Sequence, residues 1–101
     1  MATTVPVEVT SWIAKFVGGD GSRGRVLEEP VAEGATVRSV LRGLSARFPE
    51  LDAALWHRDE IGEHIEVLVN DAVLGVTHRL DSPVKPGDHI TLLAQYMGGV
   101  F

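Results

Sequence analysis

The chain contains no cysteine among its 101 residues. This absence excludes disulfides, thiolate metal sites, iron–sulfur clusters and a cysteine nucleophile, so any sulfur that the protein handles must come from elsewhere. The sequence also lacks a run of about 20 apolar residues that could span a bilayer. Its start, MATTVPVEVT, has neither the basic region nor the apolar stretch of a signal peptide. We therefore expect a cytoplasmic protein.

Positive charge is also scarce. Nine Lys and Arg against 14 Asp and Glu give a net charge of -5, which disfavours binding to nucleic-acid phosphates.

The composition, 45% hydrophobic and 23% charged, is typical of a globular protein and not of a disordered one. A chain of this length predicts one domain with one core, and a deep site between domains is not expected.

The first third of the chain predicts a β-hairpin. Apolar residues alternate at its start, which indicates a strand from Val5 to Val17 that ends at the glycine-rich turn Gly18–Gly21. A second strand is predicted within Arg25–Gly34, where Pro30 favours an edge position.

The hydrophobic period changes after Thr36, a suitable helix N-cap. One helical stripe is formed by Val37, Val40, Leu41, Leu44 and Phe48. The solvent side of this helix is expected to carry Arg38, Arg42 and Arg47. Pro49 cannot continue a helix, so the helix should end near Phe48. A glycine in a helix interior, such as Gly43, destabilises the helix by roughly 1 kcal/mol relative to alanine. We expect that close packing of the helix on the sheet requires a glycine at this position.

The remaining half predicts further strands after a polar, partly helical connection from Glu50 to Glu63. The segment HIEVLVN places Ile65, Val67 and Val69 on one face and Glu66 and Leu68 on the other. After a turn at Asn70-Asp71, AVLG is suited to a short strand, LDSPVKPGD to a loop, and HITLLA to a final strand. The order predicts an α+β fold, a mixed sheet of four or five strands with one main helix on one face and the other face partly open.

The end of the sequence, AQYMGGVF, runs the last predicted strand into Gly98 and Gly99 and then adds Val100 and Phe101. Glycines have no Cβ, so a narrow enzyme channel can close around their backbone. Five residues from Gln95 to Gly99 extend at most about 18 Å. A Gly-Gly at such a position is also compatible with a frayed terminus, and the last two residues with an inert extension.

The strand order, VNDAVL, PGDHITLLA and the Gly-Gly after the last strand resemble the ubiquitin-like β-grasp sulfur carriers. Members of this family include the small subunit of molybdopterin synthase, the thiamine-pathway carrier and the cysteine-synthesis carrier of actinobacteria. The resemblance spans nearly the whole chain and is strongest for the cysteine-synthesis type. It implies a β-grasp domain over residues 1–95 and a flexible C-terminal tail over residues 96–101.

In this family a ubiquitin-activating-type enzyme uses ATP to adenylate the carboxylate of the final glycine, which then becomes a thiocarboxylate. By resemblance that residue is Gly99, preceded by Gly98, and the protein is a co-substrate with no cofactor of its own and not an enzyme. Val100 and Phe101 depart from the commonest pattern, since they leave the Gly99 carbonyl in a peptide bond. Some carriers of secondary metabolism have a similar dipeptide, which a metal-dependent protease of the deubiquitinase type removes.

A carrier must be recognised by its activating enzyme, its protease and the biosynthetic enzyme that accepts the sulfur. Leu68 and Leu93 are predicted on the open sheet face, on neighbouring strands, and could form a docking patch together with Tyr96 and Met97 in the tail. Scattered exposed apolar residues are also normal and need no function. For Trp12 and Phe16 the pattern does not distinguish core from surface.

No other motif predicts chemistry. The histidines lack metal-ligand spacing and are expected to be solvated: His57, His64, His78 and His89. GGDGSRG lacks the Lys-Ser/Thr pair of a phosphate loop, and no Ser/His/Asp arrangement indicates independent catalysis.

Three functions remain open at this stage. The first is a sulfur carrier for cysteine or a sulfur-containing secondary metabolite. The second is a protein modifier in which Gly99 ends in an isopeptide bond to lysine. The third is a permanent subunit, as in molybdopterin synthase. The sequence does not show whether the sulfur is used for cysteine synthesis or for secondary metabolism.

Overall fold

A computed structural model of the chain describes residues 3–18 and 24–94. Its strands are β1 Thr3–Val9, β2 Arg25–Val31, β3 Trp56–His57, β4 Glu60–Ile61, β5 Ile65–Val69, β6 Ala72–Val73 and β7 Ile90–Ala94. Its helices are a 3₁₀ helix at Ser11–Val17, α1 at Val37–Ser45 and α2 at Pro49–Leu55.

Five strands form one mixed sheet in the order β2-β1-β7-β5-β6, and β3 and β4 form a separate two-stranded hairpin. β1 and β7 are parallel, whereas the pairs β1/β2, β5/β7 and β5/β6 are antiparallel. The predicted α+β, ubiquitin-like β-grasp fold is confirmed. Pro30 lies on β2 at the edge of the sheet, as predicted, because an edge strand tolerates a missing N–H.

The hydrophobic core lies between one face of the sheet and the helices. The alternating residues of β1, β5 and β7 that face it are fully or almost fully buried: Val5, Val7, Val9, Ile65, Val67, Val69, Ile90 and Leu92. The helices complete the core with Val37, Val40, Leu41, Leu44, Leu51 and Leu55. The prediction of one covered sheet face is therefore confirmed.

The strand predicted from Val5 to Val17 is wrong beyond Val9. The chain there leaves the sheet as the 3₁₀ helix, which buries Ile13, Ala14 and Val17. This spacing matches one side of a helical turn and not the alternation of a strand. Gly18 ends the helix with a φ of 88°, a conformation that glycine adopts without a Cβ penalty.

The helical region contains the predicted main helix, α1, and a second helix, α2, which lies in the connection that was predicted to be partly helical. Thr36 forms a capping box with Ser39, which confirms the predicted N-cap, but α1 ends at Ser45 and not near Phe48. Pro49 then begins α2, where its missing N–H carries no cost. Within the described residues, neither helix is long and apolar enough to cross a membrane.

The reason expected for Gly43 is also wrong. Gly43 is exposed, and a Cβ built on it meets no heavy atom within 4 Å outside its own helix turn. Packing on the sheet therefore does not require this glycine.

The predicted turn at Asn70-Asp71 is confirmed. Both residues have positive φ, 52° and 68°, and they connect the paired residues Val69 and Ala72 of β5 and β6. Such a two-residue turn matches the twist of a hairpin, and Asn and Asp tolerate its left-handed backbone.

Candidate functional site

All residues of the predicted tail lie outside the described residues: the predicted docking residues Tyr96 and Met97, the predicted sulfur-carrying Gly98 and Gly99, and Val100 and Phe101, which are predicted to be removed. The structure describes the strand that leads to them. β7 lies in the middle of the sheet, between β1 and β5, and its last residue, Ala94, pairs with Ile65 at the start of β5. The last described residue is therefore the end of a central strand.

Thr10 secures the end of β7. Its backbone N–H and its side-chain hydroxyl both donate to the Leu92 carbonyl oxygen, at 3.1 and 2.9 Å. Because Thr10 directly follows β1, these bonds extend the β1/β7 ladder to within two residues of Ala94. The end of β7 is thus held by strands on both sides.

The start of β7 is secured by the turn between β5 and β6. Asn70 Nδ2 donates to Asp88 Oδ1 at 2.9 Å, and the Lys85 N–H donates to Asp88 Oδ2 at 2.8 Å. These hydrogen bonds, with that from Asn70 first, lower the pKa of Asp88 below its usual value. The His89 N–H donates to Asn70 Oδ1 at 3.0 Å, so both ends of β7 are fixed.

The face of the sheet opposite the core carries a continuous row of side chains. The register aligns one residue from each of the five strands, in the order Val26, Glu8, Thr91, Leu68 and Val73. Val26 is 57% exposed and Val73 is 43% exposed. The predicted open face is therefore present at the outer strands, whereas Thr91, in the middle of the row, is only 8% exposed.

Leu68 and Leu93 share this open face. Leu68 is opposite Thr91 and Leu93 is opposite Glu66, which places the two leucines diagonally across β5 and β7. Both side chains are half-buried. The prediction that they lie on neighbouring strands of the open face is confirmed, while their role in docking stays a prediction. Phe16 packs against the core as a half-buried residue, and the Trp12 side chain lies outside the described part.

The charge of this face is of one sign. Among the described strand residues that point to it, the charged ones are all glutamates: Glu8, Glu28 and Glu66. Glu28 accepts a hydrogen bond from the Thr4 hydroxyl at 3.0 Å. The open face thus combines an apolar centre, Leu68, Leu93 and Val73, with carboxylates beside it. We call it the docking face after the role that is predicted for Leu68 and Leu93.

The histidines do not assemble a site. His57 and His64 are exposed, and His89 Nε2 lies 3.2 Å from Asp71 Oδ1 on the surface. Within residues 3–18 and 24–94, no group of three or more His, Asp or Glu side chains is arranged to hold a metal ion.

A cleft of about 490 Å³ lies between α1, β4 and the segment that follows β6. Arg38 lines it, and its Nε donates to Asp81 Oδ1 at 3.0 Å, so the guanidinium charge is already balanced. Glu60, Ile61 and Leu80 complete most of its wall.

Sequence reasoning missed a set of polar and ring contacts between the two α-helices and β3. The hydroxyl of Ser45, which is fully buried, accepts from Trp56 Nε1 and donates to Asp52 Oδ1, each at 3.0 Å. The Arg42 guanidinium lies 3.9 Å from the centre of the Trp56 ring. These contacts join α1, α2 and β3 across up to 14 residues of sequence, and a single polar residue such as Ser45 gives no signal of them.

Comparison with known proteins identifies the family. The ThiS family profile matches residues 16–99. The chain is similar to a chain of the BexX/CysO complex from Amycolatopsis orientalis, with 27% identity and a TM-score of 0.69 over 92% of this chain and 99% of that chain. SAMP1 from Haloferax volcanii has 27% identity and a TM-score of 0.65 over 93% and 99%.

CysO from Mycobacterium tuberculosis, with 20% identity and a TM-score of 0.63 over 89% of this chain and 99% of its own, shares the fold. No curated protein sequence matches the chain. The family match covers most of the chain, and the sheet order agrees with it. The chain belongs to the ThiS family of ubiquitin-like β-grasp sulfur carriers.

Proposed function

We propose that the protein carries sulfur as a thiocarboxylate on Gly99, after removal of Val100 and Phe101, and donates it to a biosynthetic enzyme. The observation that carries the proposal is the extent of the family match, which ends at Gly99 and leaves Val100 and Phe101 beyond it. The position of Gly99, five residues after the secured strand β7, supports the same conclusion.

The chemistry requires a free Gly99 carboxylate. While any residue follows Gly99, its carbonyl belongs to an amide, and a protease must first hydrolyse the bond to Val100. One carboxylate oxygen then attacks the α-phosphorus of ATP, and pyrophosphate leaves. Hydrosulfide supplied by the activating enzyme attacks the carbonyl carbon of the acyl adenylate. A C–S bond forms, AMP leaves, and a thiocarboxylate remains at Gly99.

In this proposal the body of the domain binds each enzyme while the tail reacts. Five residues from Gln95 to Gly99 reach at most about 18 Å beyond Ala94. The partner can therefore bind the docking face at one position and hold the Gly99 carbonyl in an active site at another. The glutamates beside Leu68 and Leu93 favour a partner surface with an apolar centre and cationic residues around it. The activating enzyme uses ATP, and the reaction takes place in the cytoplasm. The carrier itself has no catalytic role.

Intact-mass analysis tests the carrier function. The protein is incubated with a deubiquitinase-type metalloprotease, a ubiquitin-activating-type enzyme, ATP and a sulfur source. The expected product has lost Val-Phe and has exchanged one oxygen for sulfur. A Val100→Pro variant should resist processing, and a version that ends at Gly99 should be loaded without protease. If that version keeps its mass with an activating enzyme that loads another carrier, the proposal is wrong.

The docking role has a separate test. Leu68→Lys places a cation in the apolar centre of the docking face and should weaken binding to the activating enzyme at least about tenfold, since a charge buried in an interface is costly. Val76→Lys is the matched control, because Val76 is 73% exposed and lies outside the sheet. Equal binding of both variants would contradict the role of Leu68, provided that circular dichroism shows both to be folded.

Protein modification is the second candidate, because SAMP1 of Haloferax volcanii, a small archaeal modifier protein, is 27% identical to this chain. In that case Gly99 is found on lysines of other proteins after tryptic digestion of a lysate. Whether the product is cysteine or another sulfur-containing metabolite depends on the enzyme that accepts the sulfur. An enzyme like BexX, which forms a complex with CysO in Amycolatopsis orientalis, is one candidate.

A further inference from the structure

Two polar side chains that lie side by side on the docking face have no partner within the described part of the chain. Glu8 on β1 is directly opposite Thr91 on β7 in the parallel strand pair. Among residues 3–18 and 24–94, neither the Glu8 carboxylate nor the Thr91 hydroxyl takes part in an ion pair or a hydrogen bond. Both groups are therefore available to a molecule that covers this face.

The position of Thr91 makes its hydroxyl sensitive to what covers it. Thr91 is 8% exposed although it points to the open side of the sheet. Its hydroxyl still reaches solvent, because no side-chain nitrogen or oxygen in the described part of the chain is both fully buried and unpaired. A partner that covers this face removes that contact with water. Unless the partner supplies a hydrogen bond, the hydroxyl becomes buried and unpaired, which is unfavourable.

The neighbours of Thr91 indicate which chemical group fits there. Glu8 is exposed, and its carboxylate only accepts hydrogen bonds, while the Thr91 hydroxyl can accept as well. Neighbouring strands are about 5 Å apart, so one planar guanidinium with its fork of N–H groups can donate to both residues. Its aliphatic stem can lie on apolar side chains, and Leu93 follows Thr91 on the same face of β7. An arginine therefore fits this place by charge, by hydrogen bonding and by its stem.

We infer that Glu8 and Thr91 together bind one arginine of the activating enzyme, whose guanidinium donates to the Glu8 carboxylate and to the Thr91 hydroxyl. The inference rests on the proposed function, in which that enzyme binds the docking face, and it identifies one residue of the partner and the two that receive it. The charge of Glu8 attracts the guanidinium, and Thr91 fixes its place next to the apolar centre. Leu68 and Leu93 contact the apolar part of the partner surface.

The test measures binding of the full chain to the ubiquitin-activating-type enzyme by calorimetry, without ATP. Glu8→Gln should weaken binding at least about tenfold, because it leaves the arginine of the partner without its counter-charge. Thr91→Val should weaken it at least about fivefold, whereas Thr91→Ser, which keeps the hydroxyl, should bind within about twofold of the wild type. Glu33→Gln is the matched control, since it removes the same charge from an exposed residue outside the sheet and should also stay within about twofold.

Two further measurements show whether both residues bind the same group. In the double variant Glu8→Gln/Thr91→Val, the loss of affinity should be smaller than the product of the two single losses, because either substitution already loosens the shared guanidinium. Phenylglyoxal, which modifies arginine side chains, is then applied to the enzyme alone and to its complexes. The wild-type chain should protect one arginine of the enzyme from modification, and Glu8→Gln at the same concentration should not.

Equal binding of Glu8→Gln and Glu33→Gln, equal losses for Thr91→Val and Thr91→Ser, or the absence of a protected arginine would overturn the inference. So would a wild-type chain that does not bind the enzyme. Circular dichroism checks that each variant is folded; if Thr91→Val is not, Glu8→Gln and the phenylglyoxal experiment decide. The proposed function is judged separately by the mass of the loaded protein, which reports the chemistry at Gly99 and not the affinity of the docking face.

Discussion

Gly43→Ala should stabilise the protein. Gly43 lies in α1, is exposed, and has room for a Cβ, since no heavy atom outside its helix turn comes within 4 Å. Glycine costs a helix interior about 1 kcal/mol relative to alanine because it loses more backbone entropy. Gly43 is two residues from the end of α1, where helices fray, so we expect a gain of about 0.5–1 kcal/mol.

For a domain of this size, about 1 kcal/mol changes Tm by about 4–8 °C. The expected increase is therefore about 2–8 °C, measured by calorimetry, with a matching shift of the urea midpoint at constant m-value. Thiocarboxylate loading should not change, because Gly43 is on the helical side of the domain and not on the docking face.

Gly62→Ala is the matched control. Its Cβ would lie 2.9 Å from the Ala54 carbonyl oxygen and 3.5 Å from that of Leu55, so backbone must shift and stability should fall. A Gly43→Ala protein that unfolds at lower urea than the wild type, or a Gly62→Ala protein that gains stability, would refute the reasoning from available space.

Substitutions at two further residues test polar side-chain contacts. Thr10→Val removes the hydroxyl that donates to the Leu92 carbonyl and should cost about 1 kcal/mol in urea unfolding, whereas Thr10→Ser should cost less; equal losses would contradict a role for the hydroxyl. Glu29 is 3% exposed, and burial raises its pKa above the ordinary 4.5 although Arg47 opposes the shift by its charge and hydrogen bond. The pKa of Glu29 is higher in the folded than in the unfolded protein. Protonated Glu29 therefore stabilises the fold fully below pH 4.5, and this stabilisation is lost as the pH rises through the folded-state pKa. Glu29→Gln should remove this loss, and chemical unfolding between pH 4 and 8 should show the wild type falling relative to the variant.

Much of the fold could be predicted because its elements depend on local patterns. The alternation in β5, the helical stripe from Val37 to Leu44 and the turn at Asn70-Asp71 each follow from nearest neighbours in sequence, and the structure has all of them. In β7, Ile90 and Leu92 face the core as predicted, but Thr91 between them is also buried. The open face and the placement of Leu68 and Leu93 on it follow from the same alternation.

The errors occurred where tertiary contacts override a local pattern. The β-branched and aromatic residues from Ser11 to Val17 favour a strand, yet Thr10 bonds to Leu92, which is 82 residues away, and directs the chain into a helix over the core. Glu29 likewise occurs at a core-facing strand position because Arg47, beyond α1, pairs with it. Contacts between such distant residues leave no periodic trace in the sequence.

The central position of β7 has a mechanical consequence. An enzyme that grips the end of the chain and pulls along the strand axis loads the β1 and β5 ladders in shear, so that their hydrogen bonds resist together. An edge strand under the same tension would unzip one bond at a time. The sheet therefore resists unfolding when the chain beyond β7 is pulled along the strand axis.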